Sequence, residues 1–178
     1  MSSIGKLYLE TVLHNFEGMK LLGEKSITQV KEEQINFSEN EDSNSIAIIV
    51  KHLNGNMKSR WENFLASDGE STGRDRDQEF EGKIDTKEEL LSVWNEGWAF
   101  VFDAIRDLNE SDLNKTITIR SQSLSVLQAI QRQISHYSYH IGQIVYISKQ
   151  LSDSWNSLSI PRGQSKEFNK QMMNRNKN

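Results

Sequence analysis

Ser125-Val-Leu-Gln128, continuing as Ala129-Ile-Gln-Arg-Gln-Ile-Ser-His136-Tyr-Ser-Tyr-His140-Ile-Gly-Gln143-Ile-Val-Tyr-Ile-Ser-Lys-Gln-Leu151, is the stretch on which the fold turns. Ser125 and Gln128 form a capping-box pattern, in which each side chain reaches a free backbone N–H of the other. Behind it Leu127, Ile130, Ile134, Tyr137, Ile141, Ile144, Val145 and Leu151 recur at the spacing of one helical face. The segment predicts one amphipathic helix ending near Leu151.

Three more such segments lie upstream. Ile4, Leu7, Tyr8, Val12, Leu13, Phe16, Met19 and Leu22 form a stripe that Ser2 or Ser3 can cap and Gly23 can close. A second stripe follows the cap cluster Asp42-Ser-Asn-Ser45 and runs Ile46, Ile49, Val50, Leu53, Met57, Trp61, Phe64, ending near Ser67-Asp-Gly69. The third opens at Thr86-Lys-Glu-Glu89 and carries Leu90, Trp94, Gly97, Trp98, Val101, Phe102, Ile105 and Leu108; Gly97 between two tryptophans marks a close approach of another helix. Ile27, Val30, Ile35 and Phe37 fit a mixed connection with one short helical turn, and Asp68–Gly82 reads as a charged loop. Lys115-Thr-Ile-Thr-Ile-Arg120 alternates as a short strand or hairpin arm does. The expected fold is therefore all-α: a four-helix bundle with long connections and a short β-hairpin before the last helix. Residues 1–165 are expected to form the bundle, and residues 166–178 a polar C-terminal tail.

The 178-residue composition agrees. One proline and ten glycines suit long helices better than an all-β fold. There is no cysteine, which removes disulfides, thiolate ligands and a cysteine nucleophile; any thiol must come from outside. A net charge of −4 argues against nucleic acid as a partner, and no apolar run approaches a membrane span. Without a visible signal peptide the cytoplasm is the expected compartment. Phosphate loops, a Gly-x-Ser-x-Gly nucleophile and the Glu-x-x-His pairs of di-iron bundles are all missing.

The histidines carry the chemical signal. Of four, His136 and His140 stand one turn apart on the flank of the last helix, and His52 flanks the second stripe in the same way. An i, i+4 pair can bring ring nitrogens to about 3–4 Å, which suits one ion at about 2.1 Å from each. A third imidazole from a facing helix would leave a fourth corner open to water or substrate. All-imidazole ligation suits Zn, Ni, Cu or Fe and disfavours Mg and Ca. His14 lies off its stripe and is expected to face solvent or a hydrogen-bond partner.

Ile46-Ala-Ile-Ile-Val-Lys-His52-Leu-Asn-Gly-Asn and Ile134-Ser-His136-Tyr-Ser-Tyr-His140-Ile-Gly-Gln143-Ile together resemble the DinB-like (damage-inducible, YfiT-like) superfamily of four-helix bundles. Met57-Lys-Ser-Arg60-Trp61, Asp68-Gly-Glu70, Arg74-Asp-Arg76-Asp-Gln-Glu79-Phe80 and Ile160-Pro-Arg-Gly-Gln-Ser165 resemble one small branch of it, known only as a domain of unknown function. The resemblance implies a divalent metal, Zn or Ni foremost, on His52, His136 and His140. It further implies a transferase that uses a low-molecular-weight thiol such as bacillithiol, and a homodimer to which Tyr139 or the third helix could contribute. The alternatives are a non-catalytic metal-binding bundle, structural or sensing, and a metal-dependent hydrolase.

Other polar residues attach to this expectation. Gln143, one turn beyond His140, suits a hydrogen bond to an imidazole or substrate, or a packing amide beside Gly142, itself expected at a close helix contact. Arg60, Arg74 and Arg76 suit a loop folded over the bundle by Arg–carboxylate pairs, where they would hold an anionic small-molecule substrate; a solvated charged loop is the alternative. No residue is assigned a catalytic role beyond these.

Overall fold

The computed structural model describes residues 2–70 and 74–175; positions 71–73 of the predicted loop and 176–178 of the predicted tail lie outside them. Four long helices follow the four stripes: α1 (Ile4–Ile27), α2 (Ile46–Trp61), α3 (Lys87–Asp107) and α4 (Val126–Leu151). A two-stranded antiparallel hairpin, β1 (Thr116–Ile119) and β2 (Gln122–Ser125), precedes α4, and a short helix, α5 (Ser165–Arg175), occupies most of the predicted polar tail. Among the described residues no helix is long and apolar enough to cross a membrane.

The caps explain the starts. Ser3, Ser45, Thr86 and Ser125 each accept the backbone N–H three residues on. At α4 the box is reciprocal, since Gln128 accepts the Ser125 N–H at 2.8 Å. At α3 the return arm reaches one residue further back, and Glu89 takes the N–H of Asp85. The ends depart more from the sequence expectation. Gly23 does not close α1; it lies buried inside the helix, where a Cβ would stand 2.5 Å from the Trp94 ring. α2 stops at Trp61, because Asn63 enters the left-handed region (φ 53°) and its carbonyl collects the N–H groups of Ala66 and Ser67.

α2 packs along α3 and α1 along α4, and contacts of α1 with α3 and of α2 with α4 close the bundle. Gly97 lets α3 approach α2, where a Cβ would meet the Asn54 backbone at 3.1 Å. Gly142 does not play that part: it is exposed, and an added Cβ would touch nothing. The centre is aromatic, with Phe16 about equidistant from Trp61, Trp98 and Tyr137 at ring-centroid distances of 5.9–6.0 Å. Ile4, Leu7 and Leu22 are exposed, because at about 100° per residue they sit a quarter-turn or more off the face that Val12, Phe16, Gly23 and Ile27 bury. Leu127 is likewise exposed, and Val126 is buried in its place.

The hairpin anchors a distant loop. Its two-residue turn, Arg120-Ser121, has φ of 54° and 61°, the twist that matches antiparallel strands but is unfavourable for residues with a Cβ. Asp68 compensates: its two carboxylate oxygens accept the N–H groups of Arg120 and Ser121 at 2.9 and 3.0 Å. Gly69 adds a backbone bond to Thr118 at 2.9 Å. The loop after α2 is thereby fixed to the hairpin before α4.

Candidate metal centre

His52 comes from α2, and His136 and His140 from α4. The α2–α4 contact brings their Nε2 atoms together: His52 to His136 at 3.4 Å and His140 to His136 at 3.1 Å. All three lie within 4.8 Å of one another, and no further His, Cys or carboxylate joins the group among the described residues. Two nitrogens each about 2.0–2.1 Å from one ion at a tetrahedral angle would stand roughly 3.4 Å apart, so the spacing fits. His14 is exposed on α1 and takes no part.

The other ring nitrogens decide which way the lone pairs point. His52 Nδ1 lies 3.0 Å from Glu79 Oε2, and His140 Nδ1 lies 2.8 Å from Gln143 Oε1. Each oxygen is an acceptor, so each Nδ1 carries the hydrogen and each Nε2 presents a lone pair. Both lone pairs face the Nε2 of His136. One proton on His136 fully serves one of them, whereas a shared cation serves all three. Burial pushes His136 down to about 3, helped by the neighbouring imidazoles, Arg60 and Arg74. Burial and His52 push His140 down to about 4 against the opposing hydrogen bond to Gln143. Both are neutral at neutral pH, the form a metal ligand needs.

Glu79 completes the support, although in the sequence it stands out only as one charge in a mixed loop. A short 3₁₀ turn, Gln78–Phe80, seats its carboxylate against α2. Gly55 makes the room, since a Cβ there would collide with that carboxylate. Arg74 holds it in a two-pronged pair, Nε to Oε1 at 2.6 Å and Nη2 to Oε2 at 2.8 Å. Partial burial raises the Glu79 carboxyl, but the hydrogen bonds from His52 and Arg74 outweigh it and hold it below the usual range. Gly55, three residues after His52 on the same face, is the trace of this gap in the sequence. Phe80 lies against the His52 ring, with centroids 5.3 Å apart.

Around the cluster the polar residues divide. Arg60 is buried, with Nη2 2.6 Å from Glu70 Oε2, and also donates to the Gly69 carbonyl. Arg120 from the hairpin turn reaches Glu70 Oε1 at 2.9 Å. Arginine–carboxylate pairs thus tie Glu70, Arg74 and Glu79 of the loop to the bundle, while Asp75, Arg76, Asp77 and Gln78 stay exposed. Arg76 is exposed at the rim of a cavity of about 180 Å³ that His52 and His136 also line. Gln143 binds His140 and, through Nε2, the exposed Tyr139 hydroxyl at 3.1 Å, so it orients an imidazole rather than packing helices. A larger groove of about 620 Å³, with Phe37, Tyr139 and Tyr146 along it, meets the site only at Gln143.

Three comparisons bear on this arrangement. The sequence profile of a family described as "Protein of unknown function (DUF1572)" matches residues 3–164. No curated protein sequence matches the chain. Among solved structures the chain is similar to a DinB-like protein, YjoA, from Bacillus subtilis, with a TM-score of 0.59 and 13% identity, covering 83% of this chain and 96% of that one. At that identity the likeness is one of fold.

Proposed function

We propose that this chain, which belongs to the DUF1572 family of proteins of unknown function and has a DinB-like fold, is a divalent-metal-dependent enzyme that transfers a low-molecular-weight thiol to a small electrophile. The observation that carries this reading is the convergence of three Nε2 atoms with no fourth protein ligand among the described residues. A structural site would be closed by such a ligand; an open corner suits a reactant.

His52, His136 and His140 would hold the ion, Zn or Ni by the all-nitrogen donor set. An ion held there supplies Lewis acidity, which makes a thiol or water that joins it nucleophilic near neutral pH. The chain's own residues do the remaining work. Glu79 accepts the His52 Nδ1 hydrogen and Gln143 that of His140, which fixes both rings and both tautomers. Arg74 keeps Glu79 in place and ionised. The α2–α3 loop, bound to the hairpin through Asp68 and Glu70, covers the His52 side of the cluster. With no cysteine in the chain, the thiol is an external reactant such as bacillithiol. The same reading places the protein in the cytoplasm as a homodimer, which light scattering after gel filtration tests.

The decisive experiment is metal analysis of untagged protein, followed by a screen of thiol conjugation to electrophiles with the metal-loaded form. The reading expects about one ion per chain, near none in His140→Ala, and turnover that needs the metal and a thiol. Metal bound without thiol turnover would move the assignment to a non-catalytic site or, if esters or amides are cleaved, to a hydrolase.

A further inference from the structure

The cavity beside the histidines is walled by arginines to a degree the three-imidazole cluster does not explain. Arg60, Arg74, Arg76, Arg120 and Arg132 all line it. Two carboxylates, Glu70 and Glu79, answer Arg60, Arg74 and Arg120. Arg76 and Arg132 form no ion pair among the described residues, although Asp75 and Asp77 flank Arg76 in the chain. Two guanidinium groups of that wall are thus left without a carboxylate partner among the described residues. The Arg60 and Arg74 side chains are about 95% buried, so water screens them weakly.

A neutral group in the same wall points to a ligand as well. Asn56 is buried and commits its Oδ1 to the Tyr137 hydroxyl at 3.2 Å, which leaves its amide hydrogens for the cavity. Gln133 is 3% exposed, and its Oε1 has no hydrogen-bond partner. Gln133 belongs to the same wall, but that oxygen is closed off from the open space, so the neutral group offered to a ligand is the Asn56 amide.

We infer that this cavity binds a small oxyanion, a phosphate or a carboxylate. The free arginines supply the planar two-donor fork that oxyanions fit, and Asn56 adds a neutral donor. At about 180 Å³ the space equals roughly six waters, enough for such a group but not for a whole thiol cofactor. The anion would therefore be one end of the substrate, held with its remainder toward His52 and His136. The inference deepens the metal-centred reading by naming the group the site recognises, and rests on that reading only for the anion's place in a reaction.

Calorimetric titration tests it, with inorganic phosphate in one arm and acetate in the other. Each is titrated into chelator-stripped protein and again after zinc loading. Phosphate or acetate should bind the stripped wild type. Arg132→Gln and Arg76→Gln should each weaken binding about tenfold, the loss expected for one charge-assisted contact. Both residues are exposed, and equal melting temperatures would show that the variants fold. Stripped His140→Ala should still bind. Absence of binding in stripped wild type, or binding unchanged in both arginine variants, overturns the inference. Binding that appears only with zinc and vanishes in His140→Ala makes the anion a metal ligand alone; that also overturns the inference while sparing the metal reading. Binding lost in the arginine variants, in a protein that holds no metal under any condition, upholds the anion site and refutes the proposed function.

Discussion

Two buried regions of this bundle lie side by side on α4 and obey different rules. On one line of the helix, Tyr137, Ile141 and Ile144 close the aromatic core around Phe16, Trp61 and Trp98. There Trp61 Nε1 donates to the Tyr137 hydroxyl at 2.8 Å, which passes its own hydrogen to Asn56, and the polar atoms left unpaired are the single indole N–H groups of Trp94 and Trp98, which accompany rings buried for their packing. On the adjacent line, His136 and His140 meet His52 with two lone pairs aimed at one space, ringed by buried charges. The first region is built for stability. The second buries groups whose valences nothing among the described residues completes. Interior polarity that packing does not require and the chain does not satisfy is the mark of a site that awaits a ligand.

Variants can widen or collapse that contrast. The largest effect belongs to the core. Trp98→Ala, at a fully buried position, should cost about 3–5 kcal/mol in denaturant unfolding. A cost below about 1 kcal/mol would mean that the aromatic centre is not the stabilising region. Glu79→Gln should reverse the pattern. It keeps the volume but gives up the charge that orients His52, so metal affinity should fall about 10–100-fold by competition titration. Unchanged affinity would remove Glu79 from the site.

The acid side of the pH–stability curve offers a subtler test. Partial burial raises the Glu70 carboxyl, but hydrogen bonds and charge from Arg120 and Arg60 outweigh it and hold it at about 2, against an ordinary 4.5. A depressed carboxyl stabilises the fold fully above its unfolded pKa. Its contribution should persist above about pH 4.5 and fade as pH falls from there toward 2. Glu70→Gln should flatten that part of the curve; an identical acid limb in the variant would dissolve the loop–hairpin clamp. The smallest effect is expected at Gly142, exposed on α4 with open space at its Cβ position. Gly142→Ala should stabilise by roughly 0.5–1 kcal/mol and leave metal binding alone. Destabilisation would mean that a partner covers that face.

The legible part of this molecule is the part written in local periodicity. The stripes through Ile49, Leu53 and Met57 and through Trp94, Trp98 and Val101 repeat every three or four residues, and the caps at Ser45 and Ser125 sit directly before their helices. His136 and His140 are legible for the same reason, since four residues on a helix place two rings on one face. His52 needs the family resemblance, because no local pattern states which helices face each other. Glu79 escapes because its role depends on a 3₁₀ turn docking into the space left by Gly55, a contact across 24 residues of chain. Arg120 and Arg132 escape for a similar reason: they come to the cavity from a hairpin turn and from the outer edge of α4. Gly23 misleads because a glycine near the end of a stripe looks the same whether it ends a helix or admits a neighbour's indole.

His52, His136 and His140 sharing one ion is the central claim, and X-ray absorption spectroscopy of the zinc-loaded, untagged protein tests it at the bond itself. Three imidazole nitrogens at about 2.0–2.1 Å are predicted, with one further light-atom ligand from solvent. The imidazole scattering should be lost in a His52→Ala, His136→Ala, His140→Ala triple variant. An all-oxygen coordination shell, or the same imidazole pattern in the triple variant, would contradict it.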